Sequence, residues 1–577
     1  MDRLKIFQIL IFVAASVIIL RLFYWQLVSQ IGQNATSAPQ DEIPAPRGEI
    51  FTSDGFPIVA NQEAFLVYGE PHEVRQSANV AQTLAPYLVS EKFATLEASL
   101  SDESKKQKEE EIKNRQKEIE NKLENRNLLW VQLARKAPRV AKVALEQAAG
   151  IGFEPDPERF YPEASMAAHV LGFVASDKFG QDTGYFGLEG FYDRLLRGQP
   201  GKIRRKLDPF GLPILVDRYR QLAPRSGAIL HLSLDRVVQF IVEEKLKSAV
   251  VKHGARDGTV IVADPQTGHI LAMATYPNYH PGARLGVDEQ LYKNPAVADS
   301  YEPGSTFKLF ATAAALELSL VTPETRCDVC TGSRQIGGFE ISTWNKKYFP
   351  NSTVTEIIEH SDNVGMTFVA EKLGIDRLYD YLKKFGFGEP TGIDLQEETA
   401  ASIREKSDWL PIDLATASFG QGIAVTPIQM IQAVSTFANG GRLITPKITE
   451  IIEDGSRQQR VSPDQDRQII SAKTAALVTE MMTRSVEKGE ARAFAPKGYK
   501  IAGKTGTAQI PVAGHYDPEK TIASFIGFAP ADDPKFVMLV LLTEPSSSPF
   551  GSETAAPTFF EIARELFNYF GVPPQKE

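Results

Sequence analysis

Cysteine is nearly absent from this chain: Cys327 and Cys330 are the only two among 577 residues. Two thiols with no histidine close in sequence cannot complete a four-ligand zinc site, so no metal centre and no cofactor are expected. A basic surplus is missing as well. Lys and Arg number 63 against 72 Asp and Glu, a formal net charge of -9, which removes any electrostatic bias towards nucleic acid. Long apolar runs are scarce, and no heptad repeat is long enough for a coiled coil. What is left is an ordinary folded composition, 43% hydrophobic, in a chain long enough for two or three soluble units.

The one long apolar run is N-terminal. Ile6 to Leu20 is almost wholly apolar, and Leu22 to Leu27 extends it past Arg21. About 20 residues span a bilayer, so residues 6–28 read as a transmembrane helix if Arg21 snorkels. Arg3 and Lys5 precede it, and no Lys or Arg lies between Leu22 and Pro46. That asymmetry places the 1–5 tail in the cytoplasm and the rest outside. A cleavable signal peptide is the rival reading. Its best cleavage site, Ala35-Thr36-Ser37, lies too far beyond the apolar run. Outside the cytoplasm, a local disulfide staple between Cys327 and Cys330 outweighs a redox role.

Three short strings carry the chemistry: Ser305-Thr306-Phe307-Lys308, Ser361-Asp362-Asn363 and Lys504-Thr505-Gly506-Thr507. Each alone has a plain reading, as a helix cap, an inter-helix turn and a strand with a surface lysine. In this order they form the S-x-x-K, S-x-N and K-T-G set of penicillin-recognising serine acyl-transferases. Ser305 follows a turn and precedes a run of helix formers, which puts Lys308 one turn away on the same face. A serine hydroxyl attacks once a base takes its proton. Lys308 can be that base if burial and a neighbouring cation, Lys504, lower its pKa. Ser361 can relay a proton and Asn363 can hold a substrate carbonyl. Lys504 with the Thr505 and Thr507 hydroxyls can bind a carboxylate, and Gly506 lets a ligand approach the strand. The Ser305 and Thr507 backbone amides suit an oxyanion hole, each such donor contributing ~3–4 kcal/mol. Turn signals at Asp264 to Gly268 and Asp532-Asp533-Pro534 each predict a hairpin.

With these motifs the sequence resembles the class B penicillin-binding proteins. Further matches are Arg47-Gly48-Glu49, Arg159-Phe160-Tyr161-Pro162, Gly187-Leu188-Glu189-Gly190 and Gly420-Gln421-Gly422 through Pro427. The resemblance implies an α/β (α+β) transpeptidase domain over 226–571, its central antiparallel sheet flanked by helices. It also implies an elongated, mixed non-catalytic pedestal or dimerisation module over 29–225. Within that module, residues 103–126 are dense in Lys and Glu and predict a solvated helix.

Such proteins cross-link peptidoglycan stem peptides and are acylated by β-lactams. Glu302-Pro303-Gly304 before the serine looks more like septal than elongation members. No glycosyltransferase motif lies between Ile31 and Arg225, so the resemblance points to a polytopic SEDS-type glycosyltransferase and other divisome proteins as partners. A class A β-lactamase would need a deacylating E-x-x-L-N glutamate. Glu397 stands at a tempting distance, but Glu397-Glu398-Thr399-Ala400-Ala401 breaks that pattern. A non-enzymatic β-lactam sensor or scaffold remains the other rival.

Overall fold

The structure, a computed structural model, describes residues 12–21, 40–93, 102–178, 180–204, 220–283, 287–463, 466–512 and 515–575. Residues 12–21 are helical, and the rest of the expected 6–28 span lies outside the described residues. Among the described residues no helix is long and apolar enough to cross a membrane. The chain divides into two compact units. One, Met1–Pro46 with Gly198–Ser226, holds a three-stranded antiparallel sheet of Gln40–Ile43, Gly201–Arg204 and Arg220–Leu222. The other, Arg47–Arg197 with Gly227–Glu577, holds the remaining sheets and their helices.

A five-stranded antiparallel sheet is its centre. The strands are β1 (Asp257–Ala263), β2 (Ile270–Tyr276), β3 (Ala502–Val512), β4 (His515–Ala529) and β5 (Phe536–Thr543), in the order β2-β1-β5-β4-β3. β1–β2 and β4–β5 are the two hairpins that the turn signals predict. β5 sits in the middle and every residue of it is buried, which explains its apolar run from Phe536 to Leu542. Successive side chains of a strand point to opposite faces, and here that alternation divides the core in two. Val260, Val262, Met538 and Val540 join a cluster with α1 (Arg236–His253) and a C-terminal helix, Ala555–Tyr569. Ile261, Ala263, Val537 and Leu539 join a larger cluster on the other face. There lie α2 (Lys308–Glu317), α3 (Val354–Glu359) and α4 (Asn363–Lys384). A further helix, α5 (Ala472–Lys488), runs beside β3.

The N-terminal part of this unit has its own small core. Ala64–Gly69 pairs with Val131–Pro138 on one side and Ile151–Pro155 on the other. The charged segment forms the helix Asp102–Glu124, as expected, but it is not solvated all round. Ile119 and Leu123 are fully buried in this core and Ile112 packs against it. Their spacing keeps the three on one helical face, so a thin apolar stripe docks an otherwise charged helix.

Ion pairs knit the N-terminal part: Arg47 bonds to Glu189 and Asp193, and Arg159 bonds to Glu189, whose side chain is fully buried. Further hydrogen bonds join this part to the residues beyond 390. Tyr192 donates to Asp394 at 3.0 Å. Gly187 N–H donates to Glu397 Oε2 at 2.9 Å. Burial pushes the Glu397 carboxyl up to about 7, against the pull of backbone donors including Gly187. A carboxyl whose folded pKa is raised costs nothing below its unfolded value. It costs stability increasingly as pH rises towards 7, where the folded group must ionise. Glu397→Gln keeps an acceptor for Gly187 and removes that cost. The variant is expected to match the parent in stability near pH 4.5 and to exceed it by about 3 kcal/mol above neutrality. Calorimetry at both ends of the range checks this; equal melting at high pH would mean Glu397 is well solvated.

Candidate active site

Ser305 lies in a 3-10 turn, Gly304–Phe307, that runs directly into α2. What fixes this turn is a second segment that passes beneath it. Tyr301 and Val425 exchange both backbone hydrogen bonds at 2.9 Å, and Gly422 N–H donates to Glu302 at 3.1 Å. Gly304 N–H donates to the Gly420 carbonyl at 3.0 Å. The approach is so close that a Cβ on Gly420 would stand 2.2 Å from the Gly304 oxygen. The Gly-Gln-Gly run of 420–422 is therefore the bed of the nucleophile turn, a reason the sequence alone did not reveal.

Ser361 ends the turn between α3 and α4, with Asp362 capping α4 by accepting from Val364 N–H at 2.8 Å and Gly365 N–H at 3.1 Å. Ser361 takes a left-handed φ of 56°, which β-branched or bulky residues rarely adopt. In that conformation its carbonyl accepts from Lys308 Nζ at 2.6 Å and its hydroxyl meets Lys308 Nζ at 3.1 Å. Lys504 Nζ reaches the same hydroxyl at 3.0 Å. The lysine expected to reach Ser305 thus makes its hydrogen bonds to Ser361, which stands between the two amines.

Both amines are out of water: Lys308 is 0% and Lys504 1% exposed. Burial holds Lys308 well below the ordinary lysine range, and the charge of Lys504 pushes it further, with Asp362 and Glu490 opposing. Burial lowers Lys504 to about 8, with Glu490 opposing. Burial and the neighbouring cation together favour the uncharged amine at Lys308.

β3 is an edge strand, as expected, and its alternation explains the third motif. Thr505, Thr507 and Gln509 line a cavity of about 930 Å³ together with Ser305, Ser361 and Asn363. The Thr507 hydroxyl accepts from Gly551 N–H at 3.0 Å and so keeps its own proton for a ligand. Asn363, the first residue of α4, donates to the Ser342 carbonyl at 3.3 Å. Gly506 differs from expectation. A Cβ there would strike Ser524 Oγ at 2.3 Å, Thr306 Cγ2 at 2.9 Å and Pro303 O at 3.1 Å. Its bareness serves the packing of the nucleophile turn on the strand, on the face away from Thr505 and Thr507.

The cavity also gathers residues that no motif pointed to. Trp344 and Phe550 meet at its edge, ring centroids 5.3 Å apart, and Glu490 lies on its wall. Cys327 and Cys330 form a buried disulfide. The hairpin that comes after it, Arg334–Ile336 with Phe339–Ile341, leads to Ser342 and Trp344. Glu397 does not line the cavity; its carboxylate is bound at Gly187. Among the described residues no group of three or more His, Cys, Asp or Glu side chains is placed to hold a metal.

Residues 258–564 match the penicillin binding protein transpeptidase domain, and residues 42–232 match the penicillin-binding protein dimerisation domain. The chain is 34% identical to stage V sporulation protein D of Bacillus subtilis over 575 residues, covering 96% of this chain and 84% of that protein. It is 30% identical to the probable peptidoglycan D,D-transpeptidase PenA of Neisseria meningitidis over 543 residues, covering 92% and 86%. Its fold is similar to that of penicillin binding protein 3 from Mycobacterium tuberculosis in complex with aztreonam. There the TM-score is 0.70 at 25% identity, with 93% of this chain and 98% of that one covered. Matched in both domains and along nearly its whole length, the chain belongs to the class B penicillin-binding proteins, serine acyltransferases built on a transpeptidase domain.

Proposed function

We propose that the chain is a peptidoglycan D,D-transpeptidase acting at the division septum, anchored by residues 6–28 with its catalytic domain outside the cytoplasm. The observation that carries the chemistry is the Ser361 hydroxyl held between two buried lysines beside Ser305. Lys308 as a free amine takes the Ser305 proton as Oγ bonds to the penultimate D-alanine carbonyl of a stem peptide. The Ser305 and Thr507 amides hold the oxyanion, while Lys504, Thr505 and Thr507 hold the terminal carboxylate. The carbonyl–nitrogen bond breaks as the proton passes through Ser361 to the leaving D-alanine amine. An amine from a second stem attacks the serine ester and loses a proton to Lys308, which returns it to Ser305 Oγ as the ester bond breaks and the cross-linked peptide leaves. Asn363 orients the substrate amide in both steps.

Relatives named as D,D-transpeptidases support the reaction, and a structure with bound aztreonam supports acylation by β-lactams. Glu302-Pro303-Gly304 supports the septal assignment, the apolar run the anchor, and the disulfide an oxidising compartment. A dimerisation domain in place of a glycosyltransferase supports reliance on a separate SEDS-type glycan polymerase and other divisome proteins.

Incubation of the protein with a penicillin, with intact mass monitored for hours, tests the assignment. The parent is expected to carry a lasting adduct and Ser305→Ala none. Penicillin destroyed over many turnovers would mean a β-lactamase, and a folded parent without adduct would leave only a scaffold. A fluorescent fusion concentrated at midcell supports the septal role; side-wall signal supports elongation instead.

A further inference from the structure

The Cys327–Cys330 disulfide takes no part in the proposed chemistry, and it does little for the chain as a whole. It joins cysteines only three positions apart. A loop that short gains little of the chain-entropy stabilisation that a long one brings. What it holds is local. Lys308 is the first residue of α2, and Ser361 comes two residues after the last of α3. Their hydrogen bonds therefore join one end of each helix. The other ends of the same two helices are joined by the segment that carries the disulfide.

Beyond α2, Pro323 to Cys327 runs beside Asn351 to Thr355, which leads into α3. Cys327 N–H donates to the Ser352 carbonyl at 2.8 Å and Val354 N–H to that of Thr325 at 3.0 Å. Arg326 Nη1 donates to the Asn351 carbonyl at 2.8 Å. Thr353, paired opposite Arg326, is the N-cap of α3. From Thr322 to Ser333 the chain has no helix and no strand, only turns and the bridge at Arg326, so the buried disulfide is its cross-link. α3 is six residues long, too short to hold its own shape, and a shift where it begins passes on to Ser361. The cavity wall that follows the disulfide is fixed elsewhere. Arg334 donates to Thr367 and Glu371 of α4, both at 2.8 Å, and Asn363 donates to the Ser342 carbonyl.

We infer that the Cys327–Cys330 disulfide is a positioning element of the transpeptidase site: it sets Ser361 between the two lysines, and the site reaches its full rate only with this bond formed. This rests on the relay role proposed for Ser361. The double variant Cys327→Ala with Cys330→Ala, made in the full chain, is compared with the parent by saturation kinetics of penicillin acylation, well below either melting temperature. Ser361 acts in the chemical step, whereas Thr505, Thr507 and Asn363 hold the ligand. The variant is expected to lose about ten-fold in the acylation rate constant, with the dissociation constant of the first complex within about two-fold of the parent. Parent reduced with dithiothreitol and then desalted should show the same loss. There the S–S bond breaks to two thiols, as the dithiol gives up two electrons and two protons and closes to its own disulfide. Oxidised glutathione takes those electrons and protons back and should restore the rate, a recovery that altered packing alone would not give. If the double variant does not fold, the reduced parent decides by the same two constants. Acylation at the parental rate without the disulfide would overturn the inference. So would a loss confined to the first complex, which would place the effect on the cavity wall. An untreated parent that forms no adduct would sink the underlying transpeptidase reading instead.

Discussion

Lys308→Met is expected to slow acylation by a penicillin about a hundred- to ten-thousand-fold, the range lost when a positioned general base is removed. Methionine matches the lysine stem in length and fills the same buried space, so the fold should persist. The variant also tests the protonation state. Because the folded pKa of Lys308 lies well below its ordinary value, the native protein binds fewer protons there than the unfolded chain does. Stability contributed by this site is therefore lost as pH falls below the ordinary lysine range, and methionine removes that dependence. Replacing the amine also strips a donor from the buried Ser361 carbonyl, at about 1–3 kcal/mol, but that cost does not change with pH. The melting temperature of Lys308→Met relative to the parent should therefore climb steadily as pH is lowered from about 10 to about 7. A constant difference would mean that Lys308 keeps its proton in the folded state. Acylation at the parental rate would remove it from the mechanism altogether.

Chemistry was the most legible layer of this sequence, because the three motifs consist of residue types that are chemically committed and stand in a fixed order. The hairpins were legible for a related reason: Asp264 to Gly268 and Asp532 to Pro534 are turn signals between strongly apolar runs. Packing was read less well. Gly506 shows why: the two-residue period puts it on the face opposite Thr505 and Thr507, but the partner on that face, Thr306, comes from a distant part of the chain. The helix Asp102–Glu124 shows another limit. Ile112, Ile119 and Leu123 keep helical spacing, yet a few apolar positions are easily submerged among so many Lys and Glu. The left-handed φ of Ser361 leaves no composition signal, since the residue is not glycine. Glu490, Trp344 and Phe550 reach the cavity only through tertiary structure, and nothing local marks them.

Gly420→Ala should show how finely the nucleophile turn is held. The backbone there has a φ of +81°, and an added Cβ would lie 2.2 Å from the Gly304 oxygen and 2.7 Å from its nitrogen. Left-handed backbone costs an L-residue roughly 1–2 kcal/mol, and the clash adds to this because both atoms met are main chain and cannot swing aside. Relief requires the two segments to separate, which also lengthens the Gly304 N–H bond to Gly420. Ser305 comes directly after Gly304, so its Oγ moves with the turn. A displacement on the order of 1 Å at a reacting atom is enough to slow the reaction about a hundred-fold. Gly455 supplies the control: its φ is +63°, and a Cβ there would meet nothing within 4 Å. Gly455→Ala carries the same backbone strain without the clash and should acylate like the parent, with at most a small drop in melting temperature. Gly420→Ala should lose about a hundred-fold in acylation rate at a melting temperature only a few degrees lower. If the two alanine variants acylate alike, the turn has slack and the Gly420 segment does not set the position of Ser305.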